Sequence, residues 1–397
     1  MALNRHILDP EVQDYINRHL SADVHQLALS KSPFEGITVA ELANQIRAKN
    51  KAAKKLPSWY TREGIFYPPV LSIEQTSSET TAKYKSTLAI GTHLLDLTGG
   101  FGVDSLYFAK VMDTVTHCEI NEELSQIAEH NAGVLEQHNL TFHSGDGLNY
   151  LHDHKSNFDT IYVDPARRST AGKVFMLRDC TPDITAHLDF LLGKTRRIII
   201  KTAPLLDITA GLKELSNVSE VHIVSVKNEC KELLWLIDRE QPTNKPLKIV
   251  AVTLNDTSKQ FSFNKEEAEV PAVLAETDLG KYLYEPDTAL LKSGAFNLIA
   301  NTYQLKKLDP QTQLYTSDNF NSAFPGRIFE IVKLLTPAEL KKQKALTGNV
   351  IVRSYPDKAE LLVKRYKIKP DHEKFLIFTR SQASGNIIIE ATIRQHY

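Results

Sequence analysis

His93-Leu94-Leu95-Asp96-Leu97-Thr98-Gly99-Gly100-Phe101-Gly102-Val103-Asp104 is the stretch on which the fold turns. Residues 93–97 are a short apolar run that reads as a strand, and residues 104–111 carry the spacing of a helix. The glycines between them let the backbone turn sharply and approach a ligand closely, ahead of a helix N-terminus that favours an anionic group. Dinucleotide enzymes use the same device in the pattern GxGxxG. Gly100 and Gly102 fit it, but Ser105 stands where the third glycine belongs. A P-loop is excluded, because GxxxxGK followed by Ser or Thr occurs nowhere.

The acids around this loop narrow the ligand. Asp96 and Asp104 flank it, and two negative charges there would repel a pyrophosphate. S-adenosylmethionine (SAM) has no phosphate; it carries a sulfonium, an ammonium and one carboxylate, so it tolerates them. Glu119 ends a second strand, residues 114–119, about 20 residues past the loop, where a carboxylate can accept from both ribose hydroxyls. Asp146-Gly147 follows a third strand, residues 140–143, in position for the adenine amino group. The expected cofactor contacts are Asp96, Thr98, Gly99, Gly100, Phe101, Gly102, Asp104, Glu119, Ile120, Asp146, Gly147 and Asp164. The plain alternative is that Asp96 and Asp146 cap helices while Glu119 sits in a surface ion pair.

The fourth strand, residues 158–163, runs into Asp164-Pro165-Ala166-Arg167-Arg168. Ligands of open α/β sheets bind beyond the carboxyl ends of the strands, so this segment is expected to line the pocket. Methyl transfer needs a nucleophile held close to the sulfonium. Asp164 and the Pro165 carbonyl are placed to accept hydrogen bonds from an amine, and Ala166, Arg167 and Arg168 to meet a phosphate-bearing substrate. A loop cap for Asp164 and surface ion pairs for the arginines are the alternatives. Carbon methylation of a pyrimidine needs a cysteine nucleophile. Where it belongs, at the end of a fifth strand (197–201), stand Lys201-Thr202-Ala203-Pro204, so nitrogen or oxygen methylation is favoured. Fourteen histidines include no HExxH, and no metal is expected.

Working outward, strands and helices alternate over residues 76–240, the rhythm of a parallel α/β sheet. Residues 218–226 and 233–237 complete seven strands, the layout of class I methyltransferases, and suit an antiparallel edge. Residues 1–75 read as a helical region, with Thr38 as N-cap and Glu41 as its capping-box partner. Gln241-Pro242 and Lys245-Pro246 mark a turn or linker, with strands expected at 247–254 and 281–285 and one long helix over 289–305. From about 321 a strand-rich basic unit follows, with strands at 350–353, 375–379 and 387–393. Residues 327–397 hold 14 Lys and Arg against 7 Asp and Glu, inside a chain of net charge −1, so this end could attract a polyanion.

The chain has 397 residues, enough for two to four domains each with its own core. Cys118, Cys180 and Cys230 are far apart, which rules out a disulfide framework and suits a reducing compartment. The first residues lack the layout of a signal peptide, and no apolar run reaches the ~20 residues of a membrane span. A cytoplasmic protein is expected.

The loop 96–104 together with Asp164-Pro165-Ala166-Arg167-Arg168 resembles a bacterial family of class I SAM-dependent methyltransferases that carry ferredoxin-like and THUMP-like domains after the catalytic one. The resemblance implies a Rossmann-like domain over 76–240, a ferredoxin-like α+β domain over 241–320 and a THUMP-like domain over 321–397. Glu74 to Ala82 looks like the segment that closes over SAM, which makes Ser77, Ser78 and Thr80 further candidates. Asp-Pro-Ala-Arg also resembles a motif of RNA uracil-5 methyltransferases, from which the chain departs at Lys201-Thr202-Ala203-Pro204. THUMP domains are associated with RNA, so the resemblance implies an RNA partner, with rRNA and tRNA not distinguished.

The leading expectation is an RNA N-methyltransferase. A methyltransferase of protein or small molecules, and a catalytically silent SAM-binding RNA-binding module, are the alternatives. An NAD enzyme is disfavoured by the loop acids.

Overall fold

Why the central strands pair side by side is written in their burial: Leu94, Leu95, Ile161, Tyr162, Ile198, Ile199 and Ile200 are consecutive or nearly so, and all are buried. Strands apolar on both faces need cover on both faces, the condition of a parallel sheet between helices. The structure, a computed structural model, describes residues 4–23, 27, 30–167, 176–240, 245–275, 279–343 and 345–397. It divides into two compact units, residues 1–218 with 235–243, and residues 219–234 with 244–397. Arg168 and Gln241-Pro242 lie outside the described residues.

In the first unit the parallel strands are β1 (His93–Asp96), β2 (Thr114–Glu119), β3 (Leu140–Ser144) and β4 (Phe158–Val163). Two short strands, β5 (Ala166–Arg167) and β6 (Cys180–Thr181), pair antiparallel beyond β4, and β7 (Thr195–Thr202) returns to the sheet. β1 lies between β2 and β4, β3 flanks β2, and β7 flanks β4. Parallel strands end on one rim, which brings Asp96, Glu119, Asp164 and Lys201 to the same side. Helices Val103–Ala109 and Glu122–Val134 connect β1 to β2 and β2 to β3.

The N-terminal helices belong to this unit's core. Thr38 caps the helix Val39–Lys55 in the expected capping box, its hydroxyl accepting from the Glu41 N–H and its own N–H donating to the Glu41 carboxylate. Ile7, Val12, Ile16, Leu42, Ile46 and Trp59 join Phe101, Val103, Leu106 and Ile127 in one apolar cluster. Trp59 packs on Phe101 with ring centroids 4.9 Å apart.

Strand β8 (Val218–Val226) and strand β9 (Glu229–Asp238) are the sixth and seventh strands expected. Most of both falls in the second unit, and the last residues of β9 fall in the first, where Trp235 donates to the Thr202 hydroxyl and Arg197 pairs with Asp238. The expectation that β8 and β9 form an edge is overturned. β10 (Lys248–Leu254) pairs parallel with β8, and β11 (Ser258–Asn264) pairs antiparallel with β10. The reason is that Val221 to Ser225 of β8 are buried in succession, and such a strand needs a neighbour where an edge has none.

The rest of the second unit is a seven-stranded sheet. Its strands are β12 (Tyr282–Pro286), β13 (Lys306–Asp309), β14 (Thr312–Ser317), β15 (Gly326–Leu335), β16 (Asn349–Val352), β17 (Lys374–Ser381) and β18 (Gly385–Gln395). They lie in the order β13-β14-β12-β15-β18-β17-β16. The long helix expected over 289–305 is two helices, Thr288–Ser293 and Phe296–Thr302. Gly294 breaks it by taking a left-handed conformation, φ +74°, with its N–H bonded to the Leu291 carbonyl.

Candidate active site

At the rim where β1, β2, β3, β4 and β7 end, a cleft of about 650 Å³ opens. That is the size of an ordinary small-molecule site. Of the residues singled out in the sequence, Thr98, Gly99, Gly100, Phe101, Asp104, Glu119, Ile120, Asp146, Gly147, Asp164, Ala166 and Ser77 line it. Asp96, Gly102, Pro165, Ser78 and Thr80 are not on its wall. Ser78 instead caps the helix Glu79–Ser86, accepting from the Thr81 N–H, and Thr80 is exposed on that helix. Arg167 lies in β5, level with Cys180 of β6.

The loop's glycines are required by contact. A Cβ on Gly99 would fall 2.2 Å from the His117 ring, and one on Gly147 would fall 2.6 Å from the Leu97 carbonyl oxygen. Gly100 has φ +56° and nothing nearer than 3.9 Å to its missing Cβ, so it presents bare backbone. Glu119 braces this backbone, accepting from the Gly100 N–H at 2.9 Å and the Asn121 N–H at 2.8 Å. Asp146 accepts from the Asn149 N–H at 2.9 Å, so it caps the helix Gly147–Asp153 while facing the cleft. Beside Glu119, Ile120 is 75% exposed, an apolar platform without cover.

Two acids set the loop, Asp96 from behind the wall and Asp104 on it. Asp96 is wholly buried and accepts from the Thr98 N–H and the Ser105 hydroxyl. Burial pushes its carboxyl up to about 7 against these two hydrogen bonds, with the charges of Asp104 and Asp164 adding to the rise. For Asp104 burial also acts upward, but Lys85 and Lys201, with hydrogen bonds from Ser77 and Tyr162, outweigh it and hold the carboxyl below the usual range. Lys85 Nζ lies 3.2 Å from one Asp104 oxygen; Ser77 and Tyr162 donate to the other at 2.7 and 2.8 Å. Lys85 is 0% exposed and also donates to the Ser77 hydroxyl.

The reacting end holds a second pair. The Asp164 N–H donates to the Thr98 hydroxyl at 2.7 Å, and Lys201 donates to Asp164 Oδ2 at 2.5 Å. Sequence reasoning noticed Lys201 only as the absence of a cysteine and missed Lys85 and Tyr162. A lysine on a short amphipathic helix reads as solvated, and nothing local announces a buried partner 19 residues on. The thiols are withdrawn from chemistry: Cys118 and Cys180 are buried, and burial pushes the Cys118 thiol well above its usual range and that of Cys230 up to about 11. Among the described residues no three His, Cys, Asp or Glu side chains gather to hold a metal, and no helix is long and apolar enough to cross a membrane.

This donor set fits an adenosine bearing a cationic sulfur: bare glycine backbone, the carboxylates of Glu119 and Asp146 at the rim, and an open apolar platform. Comparison with known proteins agrees. Residues 282–325 match a ferredoxin-like domain, 326–392 a THUMP-like domain, and 68–175 the protein-L-isoaspartate(D-aspartate) O-methyltransferase family. A SAM-dependent methyltransferase of Mycobacterium tuberculosis is 22% identical over 347 residues, 85% of this chain and 91% of that one. The crystal structure of a Porphyromonas gingivalis W83 protein, described as a candidate methyltransferase, is 30% identical over the whole of both chains with a TM-score of 0.87. The chain belongs to the SAM-dependent methyltransferases. Its cofactor is SAM, which supplies a methyl group on a positively charged sulfur. A Mycoplasma mobile protein described as an uncharacterized RNA methyltransferase is 37% identical to this methyltransferase over 88 residues, 22% of this chain and 24% of that one.

Proposed function

We propose that this methyltransferase transfers the methyl group of SAM to a nitrogen of an RNA base. The observation that carries the reading is the Asp164 carboxylate at the cleft, fixed by Lys201 in the place where carbon methylation would need a cysteine. One carboxylate oxygen is committed to Lys201, which leaves the other for an amine N–H. The RNA part draws support from the THUMP-like match, from the basic balance of residues 327–397 and from the Mycoplasma mobile relative.

In this reading Thr98 to Phe101, Asp104, Glu119, Ile120, Asp146 and Gly147 hold the cofactor, with Asp96 and Gly102 shaping the loop from behind. Asp164 receives the acceptor, with Ala166 and Ser77 on the substrate side; a part for the Pro165 carbonyl, Arg167 and Arg168 is carried over from the sequence reading alone. The segments 1–75, 76–240, 241–320 and 321–397 are taken as its helical, catalytic, ferredoxin-like and THUMP-like parts, in a cytoplasmic enzyme. The match over 68–175 to a protein O-methyltransferase family favours a second reading, methylation of a protein.

The test incubates the enzyme with radiolabelled SAM, total RNA and total protein from a strain lacking it, and maps the label. Label on an RNA base nitrogen is the expected result. Label confined to protein would replace the first reading by the second.

A further inference from the structure

We propose that Lys201 is a positioning residue for methyl transfer, holding one oxygen of Asp164 so that the other is aimed at the acceptor nitrogen. The inference rests on the nitrogen-methylation reading above. Asp164 is fixed twice over: its backbone N–H is bound to the Thr98 hydroxyl, and its side chain to the Lys201 ammonium. Thr98 is in turn tied through its own N–H to the buried Asp96. A carboxylate held at the main chain and at one oxygen has little rotation left, and its second oxygen keeps a set direction. The side chains of Lys201 and Asp164 are 16% and 33% exposed, so the pair stands at the cleft wall and is reachable by a substrate.

Asp104 already has its own buried cation in Lys85, so Lys201 is not required there as the sole counter-charge. Among the described residues, the cation in direct contact with the Asp164 carboxylate is Lys201 on β7. In the reaction the nitrogen lone pair forms the new N–C bond, and the C–S bond breaks with its electron pair left on sulfur. The proton shed by the nitrogen passes to the free Asp164 oxygen and from there to water. Lys201 touches neither methyl nor acceptor in this scheme and acts through Asp164.

The test is a double-mutant cycle of Lys201→Met and Asp164→Asn, with Lys201→Arg as the conservative control. It is followed by single-turnover labelling of whichever acceptor the wild-type enzyme labels, and by calorimetry of SAM binding. Lys201→Met is expected to lower kcat about 100-fold, the scale of an ångström-level misplacement, with the acceptor KM and the SAM Kd within about threefold of wild type. Lys201→Arg should restore about tenfold of that loss. In the Asp164→Asn background Lys201→Met should cost less than about twofold, because nothing is left to aim. Full loss from Lys201→Met in that background, an unchanged kcat in the single variant, or a SAM Kd that weakens in step with kcat would each overturn the proposal. If the wild-type enzyme labels protein and not RNA, the RNA reading fails while the cycle is still run on that protein acceptor.

Discussion

Asp104 in the first unit, partly buried at the cleft wall, and Glu285 in the second, buried in its sheet, are both carboxylates with cationic partners, and they are held in opposite ways. Glu285 lies on β12 directly across from Arg327 on β15, so strand register alone makes the pair, and Arg353 supplies a second cation at 2.7 Å. Arg327 is further packed among the rings of Phe329, Phe375 and Tyr397. Asp104 meets Lys85 between two helices that no ladder aligns, and the same carboxylate takes Ser77 and Tyr162. The charge on the sheet is shared by two arginines, so losing one leaves a partner. The charge beneath the cleft has one lysine in direct contact, and its surroundings are the loop that meets the cofactor. A buried charge kept where packing must bring it together is therefore the more sensitive of the two.

The sharpest way to break this contrast is Lys85→Met. Removing the buried ammonium leaves the Asp104 carboxylate with the charge of Lys201 and two hydroxyl donors, and costs about 3 kcal/mol, the low end for breaking a buried pair. Urea unfolding should show that loss, together with weaker SAM binding by calorimetry; a variant as stable as wild type would remove the distinction. A smaller effect separates Asp96 from Asp104. With its folded value near 7, Asp96 keeps a proton in the native state that the unfolded chain releases above about pH 4. Stability from this group is thus present at low pH and lost as pH rises through about 7. Relative to wild type, Asp96→Asn should gain about 2 kcal/mol between pH 5 and pH 8. Unfolding curves at the two pH values check it, and a constant difference would contradict it. The smallest effect is expected at the sheet pair. Arg327→Met should cost about 1–2 kcal/mol, because Arg353 remains, with SAM affinity unchanged.

The contrast also explains what could be read in advance. The strands at 93–97, 158–163 and 197–201 are legible because apolar runs between turn signals have few other uses. The loop was legible because glycines at that spacing answer to backbone contacts, and Gly99 against His117 is such a contact. Lys85 was not legible, since its partner is chosen by packing and no local pattern records it. Ser77 entered by resemblance and meets Asp104, whereas its neighbours Ser78 and Thr80 turn to the helix. In the second unit, β11 was missed because its alternation of Ser, Lys and Gln with Phe resembles a surface loop. The helix break at Gly294 was missed because apolar spacing runs on across it, and one left-handed residue decides the matter.

The packing of Trp59 on Phe101 has a practical side. Phe101 stands on the cleft wall, and its ring packs against Trp59 of the helix Pro57–Tyr60. A gene shortened to start at the catalytic segment would delete that backing and bare Val103, Leu106 and Ile127 to water. Ile7, Leu42, Ile46 and Trp59 are part of the floor under the cofactor loop, and searches for minimal enzymes should carry them along.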